Sequence, residues 1–312
     1  MDINNRIKYY MGNCINKVTV KNNPDYEKNA INMKCDQILA LSYDKLKKNK
    51  RNNRMMFQYI GPLMDILKNK SNKIKCQKFL HIWGDVNSSY NINGIISKSK
   101  VIGDDTIVLF KMSEYAHWVP INTLKKGNID IKYINKLNAV VWRGATTGTI
   151  DRKGSRFALV ERYFDKNPDI NIGFSKIVQN KKEYSQYVKN QLNYKSQLKY
   201  KFIISVEGND VASGLKWQLY SNSVVMMAKP TICSWAMEDK LEPYVHYIPL
   251  LDDYSDLEQQ FKWGLENEKK CIEISKNATQ YIEQFLDYEK ENIIKNEIIT
   301  KYMEKVTVSE NY

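Results

Sequence analysis

The sequence predicts an α/β protein whose second half is a doubly wound parallel sheet. Short β-branched apolar runs recur between residues 139 and 250, stretches with helical spacing follow most of them, and turn residues separate the two. Tyr200 to Pro230 is the most complete unit. Phe202 to Val206 is a near-continuous apolar run, the pattern of a strand covered on both faces. Glu207, Gly208, Asn209 and Asp210 supply turn chemistry. Ser213 is placed to N-cap a helix through Leu215 to Tyr220, and Ser223 to Met227 is the next strand. Unpaired amides at that helix start, beside the small side chains of Ala212 and Ser213, make a natural anion site.

The other elements follow in chain order. Ala30 to Leu46 places Ile31, Cys35, Ile38, Leu39, Leu41 and Leu46 at mostly helical intervals and is expected as a helix. Met55 to Leu67 is apolar and broken at Gly61-Pro62. Phe79 to Trp83 reads as a buried strand ending at Gly84-Asp85, so Asp85 projects from a carboxyl end, where open sheets bind ligands. Thr106 to Phe110 is a further strand, and Lys125 to Lys136 is the best linker. Ala139 to Trp142 is a strand leaving into Arg143, Gly144, Ala145, Thr146, Thr147 and Gly148. Hydroxyls, glycines and a guanidinium at a strand end suit an oxyanion. Ser155 to Phe164 is the following helix, Ile170 to Phe174 a strand, Lys181 to Leu192 a helix and Tyr244 to Leu250 the last strand. Ser255 and Glu258 form a capping box, and Tyr288 to Val306 is a final amphipathic helix. The expected division is 1–130, 137–286 and a C-terminal helix over 287–312.

Composition bounds the function. The chain has 312 residues, more than one core usually supports, and its 43% hydrophobic content excludes wholesale disorder. No apolar run approaches the ~18 residues of a membrane span, so a cytoplasmic protein is expected. Cys14, Cys35, Cys76, Cys233 and Cys271 are scattered and lack metal or disulfide spacing. His81, His117 and His246 are dispersed and read as structural, so no metal set is expected. The net charge of +13 attracts polyanions. Its lysines cluster at Lys45 to Arg54 and Lys68 to Lys78 without any nucleic-acid recognition signature, which favours solvated faces over a specific nucleic-acid partner. The same clusters could draw the chain to an anionic membrane surface.

Three segments together resemble glycosyltransferase family 90, the family of Rumi-like protein O-glucosyltransferases, capsule-associated xylosyltransferases and lipopolysaccharide-modifying enzymes. They are Trp142 to Gly148 with Arg156 after it; Tyr200 to Phe202 through Gly208-Asn209 to Ala212-Ser213; and Leu241 to Pro249 followed by Tyr254 to Leu257. The resemblance covers roughly residues 139 to 290. It implies a GT-B fold, two Rossmann-like domains facing across a cleft, with an acceptor-side N-terminal domain and a nucleotide-sugar-binding C-terminal one.

The resemblance also implies site roles. Arg143, Gly144, Thr146, Thr147 and Arg156 would hold the donor diphosphate, with Glu207, Gly208, Ala212 and Ser213 contributing phosphate or ribose contacts. Lys216 would stand near the position of a family arginine. Arginines can neutralise the leaving diphosphate without a metal, and this chain contains no Asp-x-Asp triplet. Asp85 is the expected general base, with Glu114 and Asp105 in reserve. The expected activity is inverting, metal-independent transfer of glucose or xylose from a UDP-sugar to a glycan or lipid-linked glycan hydroxyl, with no cofactor. The alternative is a polyanion-binding protein, such as a basic nucleic-acid binder, on a catalytically dead scaffold of the same fold.

Overall fold

A computed structural model describes residues 1–21, 30–34, 61–63, 65–67, 78–82, 84–86, 88–89, 92–111, 121–122, 124 and 129–309. Glu114, His117, Trp83 and both basic clusters lie outside the described residues, apart from the backbone of Lys78. The architecture is mixed α/β with parallel sheets, and the chain divides into two compact units. The first comprises 1–116, 232–235 and 285–312; the second comprises 117–231 and 236–284. Thus 232–235 and the helix Tyr288–Lys305 belong with the N-terminal unit.

The first unit holds β1 (Val18–Lys21), β2 (Ala30–Lys34), β3 (Lys78–Ile82), β4 (Ile95–Ser97), β5 (Ser99–Val101), β6 (Ile107–Leu109) and, from the returning segment, β11 (Ile232–Ser234). Strands β3, β4 and β6 run parallel, and β2 pairs antiparallel with β3. Ala30–Lys34 is therefore a strand, which corrects the helix expected from residue 30; residues 35–46 lie outside the described part. A short apolar run fits either period, and pairing with a buried neighbour decides it. Tyr302 stacks on Phe79 at 5.4 Å, and its hydroxyl donates to the Gly94 carbonyl at 2.7 Å. This fixes the helix Tyr288–Lys305 against the sheet. Arg6, from the helix Ile3–Met11, is fully buried and pairs with Glu291, which also pairs with Lys111 at 2.9 Å.

The second unit holds β7 (Leu137–Ala145), β8 (Ile170–Lys176), β9 (Tyr200–Ile204), β10 (Val224–Ala228) and β12 (Ile248–Leu250). All five are parallel, in the order β8-β7-β9-β10-β12. From β7 the chain passes to β8 on one side, then returns to build β9, β10 and β12 on the other. This doubly wound topology has its switch point between β7 and β9. Alternation puts Val140, Trp142, Phe202, Ile204 and Val206 on one core face with Phe157, Leu159 and Val160 of the helix Arg156–Tyr163. Ser155 caps that helix by accepting from Ala158 N at 3.1 Å.

Several local expectations are corrected. Lys182–Tyr187 is a 3-10 turn in place of a helix through Leu192. The last strand of the second sheet is Ile248–Leu250, because Tyr244 takes a positive φ and turns the chain first, and a further strand, Val306–Ser309, follows the final helix and pairs parallel with β1. The helix Leu257–Glu266 begins after Asp256, and the Ser255 hydroxyl instead donates to Asp253 at 2.7 Å, so no capping box forms. Residues 129–136, read as linker, pack in the second unit, where Tyr133 and Lys136 are buried and Lys136 pairs with Asp130. No helix among the described residues is long and apolar enough to cross a membrane.

Candidate functional site

The carboxyl ends of β7 and β9 separate into a crevice. Their last aligned pair is Val141 with Ile203; beyond it β7 continues against β8 as far as Ala145, and Ser205 N turns to Met226 O on β10. Such an opening at a switch point is where open α/β sheets take ligands. One side chain spans it. Arg156 donates from Nη1 to the Ala145 carbonyl at 2.9 Å and to Thr147 Oγ1 at 2.7 Å on one lip. On the other lip, Nε donates to Glu207 O at 3.1 Å and Nη2 to Val206 O at 3.2 Å.

Every acceptor of Arg156 is neutral, and no described carboxylate forms an ion pair with it. Burial pushes its guanidinium pKa down to about 10, still charged at neutral pH, and its Cζ lies 5.9 Å from the centroid of the Trp142 ring. A part-buried cation without a counterion is costly unless something anionic completes the site.

Two glycines make the close approach possible. A Cβ on Gly208 would stand 2.7 Å from Thr147 Oγ1 and 2.9 Å from Arg156 Nη2. A Cβ on Gly148 would meet the Gly208 carbonyl oxygen at 2.9 Å, and Gly148 sits at φ +96°, a region that favours glycine. Gly144 similarly leaves room for the Trp142 ring and Arg156. The Gly148 amide donates to Asn209 Oδ1 at 2.8 Å, which also accepts from Gln179 Nε2 at 3.0 Å. Loops after β7, β8 and β9 thus meet in one network.

The remaining expected residues divide. Thr147, Arg156 and Gly208 are brought together. The Thr146 hydroxyl is buried and bonded both ways to Val178, so it ties loops together. Glu207 lies at the crevice, its carboxylate holding Arg152 and accepting from Thr231 N at 3.0 Å. Ala212 is buried and Ser213 exposed; Gly214, not Ser213, occupies the cap position of the five-residue helix Leu215–Leu219.

Arg143 requires a larger correction. Its guanidinium donates to Trp142 O, Asn171 O, Asn171 Oδ1 and Asn190 O, all within 3.1 Å. The physical reason is register: β7 runs through Ala145, so Arg143 points to the face opposite Trp142 and Gly144. Lys216 is also withdrawn, buried at 1% exposure in an ion pair with Glu238 at 2.7 Å.

Asp85 follows β3 in the first unit, where its half-exposed carboxylate accepts from Lys98 Nζ at 2.9 Å. Asp105 pairs with Lys100 at 2.9 Å. His246 Nδ1 accepts from Glu242 N at 2.9 Å, a structural role. Among the described residues no three His, Cys, Asp or Glu side chains are grouped to hold a metal ion.

Sequence reasoning missed Arg152, whose guanidinium donates to Gly208 O at 3.2 Å and pairs with Glu207, and Lys181, which donates to Gly148 O. Arg152 lies four residues before Arg156, in the polar loop that leads into its helix, which was a usable signal. Lys181 offered none.

The sequence model of glycosyl transferase family 90 matches residues 112–310, more than half the chain. The O-glucosyltransferase LpsA of Dichelobacter nodosus is 30% identical over 210 residues, 67% of this chain and 61% of its own. The uncharacterized protein 179R of Invertebrate iridescent virus 6 is 33% identical over 104 residues, 31% of this chain and 9% of its own. Protein O-glucosyltransferase 2 of Danio rerio is 26% identical over 148 residues, 47% of this chain and 28% of its own. The chain therefore spans less than two thirds of the length of these relatives. With the crevice between β7 and β9 inside the matched region, the chain belongs to glycosyl transferase family 90.

Proposed function

We propose that this chain transfers a sugar, glucose or xylose, from a UDP-sugar to a hydroxyl of a glycan or lipid-linked glycan, with inversion and without a metal ion, on a GT-B arrangement of its two units. The likeness to O-glucosyltransferases supports glucose first. The observation that carries the reading is Arg156, a part-buried guanidinium bridging the switch-point crevice with no carboxylate among the described residues to neutralise it. The donor diphosphate supplies the missing negative charge.

In the reaction the acceptor oxygen attacks the anomeric carbon as the bond from that carbon to the β-phosphate oxygen breaks. The electron pair leaves with the diphosphate, where Arg156 offsets the growing charge. The acceptor proton passes to a carboxylate, assigned here to Asp85. Arg156 is held at four points before the donor arrives, so little reorganisation opposes its action.

The test is thermal unfolding with UDP. At about 100 times the dissociation constant, UDP should stabilise the protein by about 2.7 kcal/mol. Arg156→Ala should abolish the shift. No shift with UDP, or an equal one in the variant, would overturn the reading.

A further inference from the structure

We propose that Lys181 is a second phosphate-binding residue of this site, acting with Arg156 from the opposite side of the Thr147-Gly148 turn on the leaving nucleoside diphosphate. This rests on the nucleotide-sugar reading above and adds a residue to it.

Lys181 donates to the Gly148 carbonyl, while Arg156 donates to Ala145 O and Thr147 Oγ1 of the same turn. The two cations bracket residues 145–148 of one loop. Lys181 is half-buried and forms no ion pair with any described carboxylate; Glu183 acts on it only through space. Its ammonium stands 4.2 Å from the Phe157 ring centroid, a contact that stabilises a cation without neutralising it. Desolvation lowers its pKa, as it does for Arg156. A lysine normally escapes burial by extending its flexible stem into water; this one is turned back onto the crevice.

The backbone imposes that direction. Gln179 and Asn180 both adopt positive φ, +58° and +55°, consecutive left-handed residues that are uncommon outside glycine. Asn180 tolerates this conformation well, and Gln179 is fixed by its bond to Asn209. The turn reverses the chain after β8 and delivers Lys181 to the β7 loop. Two uncompensated cations on one glycine-containing turn match the charge of a diphosphate. Lysine acts there as a point charge, beside the fixed fork of arginine.

The experiment measures UDP affinity by calorimetry on the full chain for wild type, Lys181→Gln, Lys181→Arg and Arg156→Ala. Lys181→Gln should weaken UDP about tenfold to a hundredfold, the range for losing a charged hydrogen bond. Lys181→Arg should recover most of that loss, which a merely structural lysine or a misfolded variant would not produce selectively. If Lys181→Gln binds UDP within about twofold of wild type while Arg156→Ala does not, Lys181 is excluded and the nucleotide site stands. If wild type itself fails to bind UDP, both fall.

Discussion

Arg156 and Thr147 meet through a 2.7 Å bond from Nη1 to Oγ1, and that contact joins the loop after β7 to the side chain that spans the crevice to β9. Thr147 holds the guanidinium without reducing its charge. Arg156→Lys should therefore fail almost as badly as Arg156→Ala, because an ammonium cannot reach both lips at once. Steady-state transfer assays should show kcat/KM reduced at least about a hundredfold in both, the scale of losing a preorganised charge-stabilising donor.

Arg143 predicts the opposite outcome. Its guanidinium serves Asn171 and two neighbouring carbonyls on the other face of the sheet. Asn171 Nδ2 in turn donates to the Tyr200 hydroxyl at 2.8 Å. Arg143→Met should lower unfolding free energy by about 1–3 kcal/mol, from unsatisfied part-buried acceptors, as read by urea denaturation. UDP affinity of the folded fraction should stay within about twofold of wild type.

These two arginines show how far residue patterns reach. Arg156 was legible through the family resemblance, and Ser155, which caps the helix immediately before it, fixes where the side chain emerges. Arg143 was not, because its direction depends on how far β7 extends: each added residue reverses the face. Most of the strands of the second sheet were legible as short β-branched runs. Lys181 becomes a site neighbour only through the strand order β8-β7-β9, which periodicity does not encode. Lys216 misled by lying near Ser213 in sequence; helical geometry turns it inward to Glu238. Ala30 to Lys34 misled because five residues are too few to distinguish two periods.

Gly148 and Gly208 should separate stability from binding. A methyl on Gly148 meets the backbone of Gly208 at 2.9 Å, and its φ of +96° strains any side chain, so Gly148→Ala should cost about 1–3 kcal/mol of stability. A methyl on Gly208 meets side chains, Thr147 Oγ1 and Arg156 Nη2, which can move. Gly208→Ala should leave the unfolding midpoint nearly unchanged yet displace Arg156, weakening UDP about tenfold or more. Denaturation and calorimetry on both variants test the contrast.

Asp85, paired with Lys98 after β3, is the carboxylate proposed above to take the acceptor's proton. Asp85→Asn should lower kcat by about a hundredfold to ten-thousandfold, the usual range for general-base removal. UDP affinity should remain that of wild type, since the proposed diphosphate site lies within the second unit. Equal activity in Asp85→Asn would return the assignment to Asp105 or Glu114.

Lys111 gives the fold a pH dependence whose sign is fixed. Burial pushes its ammonium from 10.5 down to about 8, despite the opposing attraction of Glu291 2.9 Å away. Between about pH 8 and 10.5 the unfolded chain therefore holds this proton more tightly than the native one. Stability then rises with pH through that window, because the native site no longer carries a desolvated charge. Other groups titrate nearby with the opposite sign: burial raises the Cys14 thiol to about 11, which stabilises the native state less as pH climbs above 9. The quantity to measure is thus the difference in unfolding free energy between wild type and Lys111→Met at pH 7.5 and pH 10. It should move in favour of wild type by on the order of 1–3 kcal/mol as pH rises. A flat difference would mean that Glu291 holds Lys111 fully charged, and that the buried cluster with Arg6 carries a net positive charge throughout.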